Sequence, residues 1–466
     1  MEFTLQNIGI IRKATIELEG LTVICGSNNS GKSTAGKALY ATIESLSNLD
    51  EKLHDELTVN YRRALLSVSR LLDMESVARY VDFEKMQNAY QKDFLVLVNT
   101  PYLYRRMVQH ENVIEAYSAL KDVVQTISPE MFLEFTKKSK SDLPKKFFAY
   151  LENLKENREK ALVFLAQFDK YFFDENRQWF AEKSVAQLFA TEFKEQVYPA
   201  NIKAKERKSI VAMSKNGEVG CNFTITEKKE ITASVNNSKL FLNNAFYIED
   251  PYALDKIGVD DEYSMFYRIN NRMDYSHSAK LKNVLTKKGP SSLIEKSINK
   301  DNYDQIINRI SEVIPGVLTV RDSGMYYEEP DKEPLKVQNL ATGSKMFSII
   351  KSLLQKGEIN FETMLILDEP EAHLHPEWQN IFAEIIVLLV KELDTNILLT
   401  THSPNFLMAI EAYAKKYDLS DRTNYYVVEK NSDNYMVDYV CVNNNLSRIY
   451  SSFTLPLVKA KQMKDE

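Results

Sequence analysis

Leu21-Thr22-Val23-Ile24-Cys25-Gly26-Ser27-Asn28-Asn29-Ser30-Gly31-Lys32-Ser33 is the stretch on which the fold turns. Leu21–Cys25 is apolar and β-rich without alternation, the pattern of a strand buried on both faces in a parallel sheet. A small, polar loop follows, and Thr34–Ile43 then reads as a helix. The loop matches G-x-x-x-x-G-K-[ST], and the chemistry of that pattern is specific. Glycines let the loop curl so that backbone N–H groups point at phosphate oxygens, the lysine adds a cation, and the hydroxyl ligates Mg2+. The candidate phosphate-binding residues are Gly26, Asn28, Asn29, Ser30, Gly31, Lys32, Ser33 and Thr34, with Ser33 also a candidate metal ligand. The bland alternative is a chance Gly/Ser turn before a helix. A strand and a helix both in place weigh against it.

The bulk numbers fit a large folded chain. Of 466 residues, 44% are hydrophobic and only 13 are Gly and 13 Pro, which leaves ample core and little linker. A net charge of −6 removes any global basic signal, so a nucleic-acid contact would need a local patch. Cys25, Cys221 and Cys441 are far apart and in no metal spacing, which is cytosolic usage rather than a disulfide framework. The opening Met1-Glu2-Phe3-Thr4-Leu5 carries no signal pattern, and no apolar run reaches the roughly 18 residues of a membrane span. A cytoplasmic protein with no membrane segment is expected.

Outward from the loop, the periodicity changes twice. From about Ser45 to Pro199, segments such as Met131–Thr136, Phe147–Leu154 and Ala161–Phe173 carry apolar residues at helical spacing. No heptad persists over three or four repeats, so a compact helical lobe is expected rather than a coiled-coil arm. From Lys208 the period is two, with short strands at Ile210–Met213, Cys221–Ile225 and Ile231–Val235 and turn chemistry at Asn216-Gly217 and Asn236-Asn237. Ala245–Ile248 is a further strand, Leu281–Val313 is helical, and Val317–Tyr327 is hairpin-like. The last third alternates helix and strand, which implies parallel βα units. The expected parts are residues 1–44, an inserted lobe 45–200, and 201–466.

Two further motifs lie in that last third. Met364-Leu365-Ile366-Leu367-Asp368-Glu369-Pro370 is an apolar strand with two carboxylates at its carboxyl end, where ligands bind in open α/β sheets. Asp368 suits a metal held through water, and Glu369 suits a base for the attacking water. Alone the pattern is weak. Leu398-Leu399-Thr400-Thr401-His402-Ser403-Pro404 puts a histidine at the end of another apolar strand, 402 − 368 = 34 residues beyond Asp368. A lone histidine is more often structural, but this place beside the expected γ-phosphate favours a sensor.

With Asn339-Leu340-Ala341-Thr342-Gly343-Ser344-Lys345, Phe3-Thr4-Leu5-Gln6-Asn7-Ile8-Gly9 and Asp368-Glu369-Pro370-Glu371-Ala372-His373-Leu374-His375-Pro376, these motifs establish a family resemblance. The chain resembles the ABC-type ATPases of the RecF, SMC and OLD group, especially AAA-family heads of bacterial phage-defence systems of the Septu and PARIS kind. The resemblance covers residues 1–44 and 330–430. It implies an α/β fold, the ABC-type P-loop NTPase head, with a mixed sheet flanked by helices. It also implies ATP and Mg2+ as cofactors and a homodimer or higher homo-oligomer. Two heads would stack so that Leu340, Thr342, Gly343, Ser344 and Lys345 of one close on ATP held by the other. Met346–Gln355 would be the helix after this signature, Glu369 the catalytic base, and His402 the switch histidine. Ala341 departs from the family's serine, so Thr342 or Ser344 has to replace its hydroxyl, and turnover is expected to be slow if neither does. The Q-loop glutamine has no place in this reading.

Three other features carry weaker readings. His373-x-His375 with Glu371 has the residue types of a metal site, but lies inside the Asp368–Pro376 element. Lys137, Lys138, Lys140, Lys145 and Lys146, and then Lys203, Lys205, Arg207 and Lys208, are basic clusters of the kind that track DNA, although most such runs are simply solvated. Glu249-Asp250-Pro251 follows a strand and reads as a turn. The strand Tyr425–Lys430 is similar to the opening of a Toprim nuclease, but only 466 − 430 = 36 residues follow it, too few for that domain. The expected role is therefore an ATPase that regulates a separate effector in antiviral defence, a nuclease of HNH or Toprim type. The alternative is a RecF-like or SMC-like DNA-binding protein of repair. A transporter subunit is disfavoured by the insertion right after the P-loop helix.

Overall fold

The computed structural model describes residues 1–93, 110–173, 177–199, 208–226, 230–236, 242–257, 276–287, 300–321, 324–431 and 436–453. Two compact units emerge, one of Met1–Ser47 with Ala181–Glu466, the other of Asn48–Phe180. The chain opens with β1 (Glu2–Ile8), β2 (Ile11–Glu17), β3 (Leu21–Cys25) and α1 (Lys32–Leu46). The second unit holds α2 (Leu49–Leu72), α3 (Phe83–Tyr90), α4 (His110–Thr126), α5 (Pro129–Glu134) and α6 (Lys145–Phe173). The chain returns through α7 (Arg177–Phe193) to β4 (Lys208–Lys215), β5 (Glu218–Thr226), β6 (Ile231–Val235) and β7 (Asn244–Ile248). Next come α8 (His277–Thr286), α9 (Lys300–Ser311), β8 (Val317–Arg321), β9 (Gly324–Glu328) and β10 (Leu335–Lys336). The remaining elements are α10 (Thr342–Gln355), β11 (Thr363–Asp368), α11 (Pro376–Leu393), β12 (Asn396–Thr401), α12 (Pro404–Lys416), β13 (Thr423–Lys430) and β14 (Val437–Cys441).

One 11-stranded mixed sheet organises the first unit, in the order β6-β5-β4-β1-β2-β14-β13-β3-β12-β11-β7. From β13 to β7 every neighbour is parallel. From β6 to β2 every neighbour is antiparallel. The burial patterns follow this division. β3 and β11 are buried at every position, whereas β1 alternates. A strand covered by helices on both faces needs apolar residues throughout; one with a wet face needs them at every second position. Asn216 (φ 53°) and Gly217 (φ 79°) supply the two left-handed residues of the β4–β5 turn. Met346, Phe347, Ile350, Phe382 and Ile386 of α10 and α11 join Leu365 and Leu399 in one core.

The helical unit has a core of its own. Tyr61, Leu65, Val68 and Leu72 on α2 and Val113, Tyr117, Leu120 and Val124 on α4 keep the 4-3-4 spacing of a single helix face and are buried together with Phe147, Leu151 and Leu154 of α6. Tyr117 Oη donates to Asp169 at 2.8 Å.

Two expected boundaries move. The helical unit ends at Phe180 rather than near 200, because Val185, Leu188 and Phe189 of α7 are buried in the first unit. Helical period continues unbroken through α7 and does not reveal which core buries it. The helix expected at Met346 begins at Thr342. Ala341, its cap residue, has no polar side-chain group to mark the start. Of the expected helical stretch Leu281–Val313, residues 288–299 lie outside the described residues, as do Asn237 of the second turn and Lys203, Lys205 and Arg207 of the second basic cluster. Among the described residues no helix is long and apolar enough to cross a membrane.

Candidate functional site

Parallel pairing sets the site. Thr401↔Cys25, Asp368↔Thr400 and Leu367↔Ile248 are register partners, so β3, β12, β11 and β7 end at one level. Loops leaving β3, β11 and β7, with the start of α10, line a cleft of about 540 Å3, whose walls include Asn28, Lys32, Ser33, Glu249, Thr342 and Glu369. Such a volume and position suit a small-molecule ligand at the carboxyl edge of an α/β sheet.

The loop from β3 to α1 needs left-handed backbone at Asn29 (φ 57°) and Gly31 (φ 87°). A Cβ at Gly31 would lie 3.0 Å from Ile10, and one at Gly26 would lie 2.8 Å from Ser30 Oγ. Tyr439 on β14 donates its hydroxyl to the Gly31 carbonyl at 2.8 Å and so fixes the loop from behind. Lys32 is buried, and its amino group donates to the carbonyls of Gly26 (2.9 Å) and Ser27 (3.0 Å). It also pairs with Glu369 at 3.1 Å. Ser30 Oγ is buried without a partner.

Glu369 stands directly past β11 with φ 49°, a left-handed conformation that costs a side-chain-bearing residue strain. Its N–H is held by the carbonyl and hydroxyl oxygens of Thr400, both at 3.1 Å. One carboxylate oxygen faces Lys32, and the other lies 3.1 Å from His402 Nδ1. The expected base, sensor and phosphate lysine therefore meet on one side chain. Asp368 accepts hydrogen bonds from Tyr247 Oη at 2.8 Å and from Thr400 Oγ1. Its two oxygens are each fixed by one hydroxyl and keep lone pairs for a further ligand.

The signature segment divides. Thr342 and Gly343 line the cleft at the N-terminus of α10, which has no side-chain cap. Ser344 and Lys345 are buried, and Lys345 is committed to Asp255 at 2.7 and 2.9 Å, away from the cleft. Leu340 packs against the core. Of the two hydroxyls able to replace the serine missing at Ala341, the one in the cleft is Thr342.

The His-x-His pattern does not assemble. His375 caps α11, Glu371 is buried and bonded to Thr401, and His373 lies edge-on to Tyr252. Burial raises the Glu371 carboxyl above the usual range. The five lysines at 137–146 are exposed on the helical unit.

Sequence reasoning missed Tyr247, Thr400, Tyr439 and Glu249. Glu249, expected in a turn, lines the cleft, and its carboxylate lies 3.3 Å from Lys37 and 3.5 Å from His277. Its place at the end of an apolar strand was the available signal.

The site fits a nucleotide phosphate chain with its divalent ion. A loop turned by left-handed Asn29 and Gly31, an unpartnered buried Ser30 hydroxyl, a buried lysine amine and a carboxylate oriented by two hydroxyls suit that group. A family model described as an AAA ATPase domain matches residues 1–407. No curated protein matches the chain. Among solved structures, an Smc head bound to the C-winged helix domain of ScpA is 11% identical, covering 96% of this chain and 98% of that one with a TM-score of 0.41. The SMC head domain from Thermotoga maritima is 11% identical, covering 95% and 98%, with a TM-score of 0.31. The Smc head with an extended coiled coil from Pyrococcus furiosus, bound to the C-terminal domain of ScpA, is 10% identical, covering 97% and 98%, with a TM-score of 0.31. These likenesses support no transfer of residue roles.

Proposed function

The chain belongs to the AAA ATPase domain family, and from that premise we propose that it binds ATP with Mg2+ in the cleft at the ends of β3, β12 and β11 and hydrolyses it between two copies. The observation that carries this reading is the meeting of Lys32, Glu369 and His402 through contacts of 3.1 Å. Lys32 turns from Glu369 and the Gly26 and Ser27 carbonyls toward phosphate. That frees the Glu369 carboxylate to take a proton from water. His402 orients it. Ser33 and Asp368 are the residues that would hold the ion, which would supply charge neutralisation at the phosphate oxygens. The N-terminus of α10 in a second copy, with Thr342 and Gly343, supplies N–H groups to the same phosphates. With Ala341 in place of a hydroxyl donor, turnover is slow.

The output is regulation of a separate effector, a nuclease of HNH or Toprim type, in antiviral defence. Support comes from the resemblance to phage-defence heads and from a compact helical unit with a core of its own, which offers a second surface. Three free cysteines agree with a reducing, cytoplasmic setting. A DNA-binding role in repair is favoured by one observation, the exposed Lys137, Lys138, Lys140, Lys145 and Lys146. ATP-dependent, salt-sensitive DNA binding by the purified protein would select it.

The deciding experiment is Glu369→Gln, with mass in solution measured with and without Mg-ATP alongside hydrolysis. Removing a general base lowers turnover by roughly 10²–10⁴-fold, and ATP should raise the mass of the variant or tighten a preformed oligomer. A variant as active as wild type, or a mass indifferent to ATP, sinks the two-headed reading.

A further inference from the structure

We propose that Tyr247 is a positioning residue for the metal-facing carboxylate of Asp368, held in place by an ionic block of buried Glu192, half-buried His277 and exposed Glu249; this rests on the Mg-ATP reading above. Tyr247 is the register partner of Ile366 on the neighbouring parallel strand, and its ring is 1% exposed. A buried phenol needs an acceptor, and many find one in a backbone carbonyl. This one donates to Asp368 Oδ2 at 2.8 Å, on a carboxylate at the edge of the cleft. Thr400 Oγ1 donates to the other oxygen. Two hydroxyls from two flanking strands thus stop the carboxylate from rotating, and the lone pairs they leave free are presented in a fixed direction.

The phenol has two close neighbours. Gly36 of α1 makes room for it, since a Cβ there would lie 3.0 Å from Tyr247 Cε2. The His277 ring meets it at a steep angle, with centroids 4.7 Å apart and planes at 71°. His277 opens α8 and is anchored three ways. Its Nδ1 lies 2.7 Å from Glu192 Oε2, its backbone N–H donates to Glu192 Oε1 at 2.9 Å, and its Nε2 lies 3.5 Å from Glu249. Glu192 is buried on α7, and Glu249 continues β7 beside Lys37. A change in the seat of α7 or α8 is therefore felt by His277 first, then by Tyr247, then by the carboxylate that holds the ion.

The test is equilibrium binding of a fluorescent ATP analogue to the full chain, once with Mg2+ and once with EDTA, beside nucleotide-free thermal unfolding. Wild type is expected to bind more tightly with Mg2+. Tyr247→Phe is expected to lose about tenfold of that gain, the scale of one hydrogen bond to a charged group, with affinity in EDTA unchanged. His277→Gln is expected to lose less, in the same direction. A Tyr247→Phe protein that keeps the full Mg2+ gain, or that weakens equally in Mg2+ and EDTA, overturns the proposal. If Tyr247→Phe does not fold, His277→Gln decides, and an unaltered Mg2+ gain there overturns it. A wild type whose binding ignores Mg2+ would instead remove the nucleotide-site reading on which the proposal stands.

Discussion

The two halves of the sheet are built from the same kind of strand and put to different use. In the antiparallel half, β1, β4 and β5 alternate buried and exposed residues, and neighbouring strands run opposite ways. Strand ends of opposite polarity then share each edge. In the parallel half, β3, β12, β11 and β7 all deliver their carboxyl ends to one edge, and Gly26, Thr400, Asp368 and Glu249 arrive there together. Parallel pairing concentrates chemistry because it aligns polarity. Its cost is that every residue before the end must be apolar or internally bonded, as the full burial of β3 and β11 shows.

The largest effect expected from breaking this comparison comes at the end of β3. Lys32→Ala removes the cation but leaves the strand intact, and ATP hydrolysis should fall roughly 10²–10³-fold, the scale of losing one preorganised charge-stabilising donor. Thermal unfolding should move little by comparison. A variant that hydrolyses normally would detach the catalytic reading from the parallel edge.

Within the strand the expected effect is structural. Val23 on β3 is fully buried, with parallel neighbours on both sides. Val23→Thr keeps the shape and buries a hydroxyl, which costs about 1–3 kcal/mol if no acceptor is found. Chemical denaturation of the purified variant measures it. A neutral result would mean that β3 tolerates polar atoms as an alternating strand does.

A smaller effect separates the halves by pH. At the start of α8, burial alone would lower the His277 pKa, but hydrogen bonds and charge from Glu192 and Glu249 override it and raise it to about 9. Glu249 is lowered to about 2, chiefly by the hydrogen bond from His277. The signs are opposite. His277 contributes stability below its unfolded value of 6.5 and loses it as pH rises through about 9. Glu249 contributes above 4.5 and loses its part as pH falls through about 2. Both contributions are complete between 4.5 and 6.5. His277→Gln should flatten the alkaline arm of the midpoint-versus-pH curve by a few degrees at most, since Glu249 is partly exposed and screened. An unchanged alkaline arm would show that the pair is not set up in folding.

The same contrast explains what was legible beforehand. Lys32, Asp368 and Glu369 announce themselves because a loop or strand end has a local pattern, and local pattern survives in a linear chain. The alternation of the later strands was readable for the same reason. Tyr247, Thr400 and Tyr439 act through the order of strands, which no local pattern encodes. Tyr439 reaches Gly31 across 408 positions, and Tyr247 reaches Asp368 across 121. The early start of α10 was hidden because Ala341 carries no capping group. Lys345 looked available because its partner, Asp255, lies 90 positions away in a 3₁₀ turn.

The smallest expected effect is the sharpest check on the antiparallel half. Thr4 sits between two buried positions of β1, only partly covered, and faces Thr15 of β2 and Ala212 of β4. Thr4→Val is the reverse of the change at Val23: it removes a hydroxyl and adds a methyl. On a half-wet face the lost hydroxyl was free to bond water, and β-branching is kept, so stability should stay within about 0.5 kcal/mol. The pair forms a control for both positions, because the two side chains are nearly isosteric and only the surroundings differ. If Thr4→Val costs as much as Val23→Thr, the outer face of β1 is covered and the two halves of the sheet are not distinguished by burial. If it costs nothing while Val23→Thr costs its full amount, the distinction rests on the burial of both faces of β3, the condition under which strand ends can be spared for chemistry.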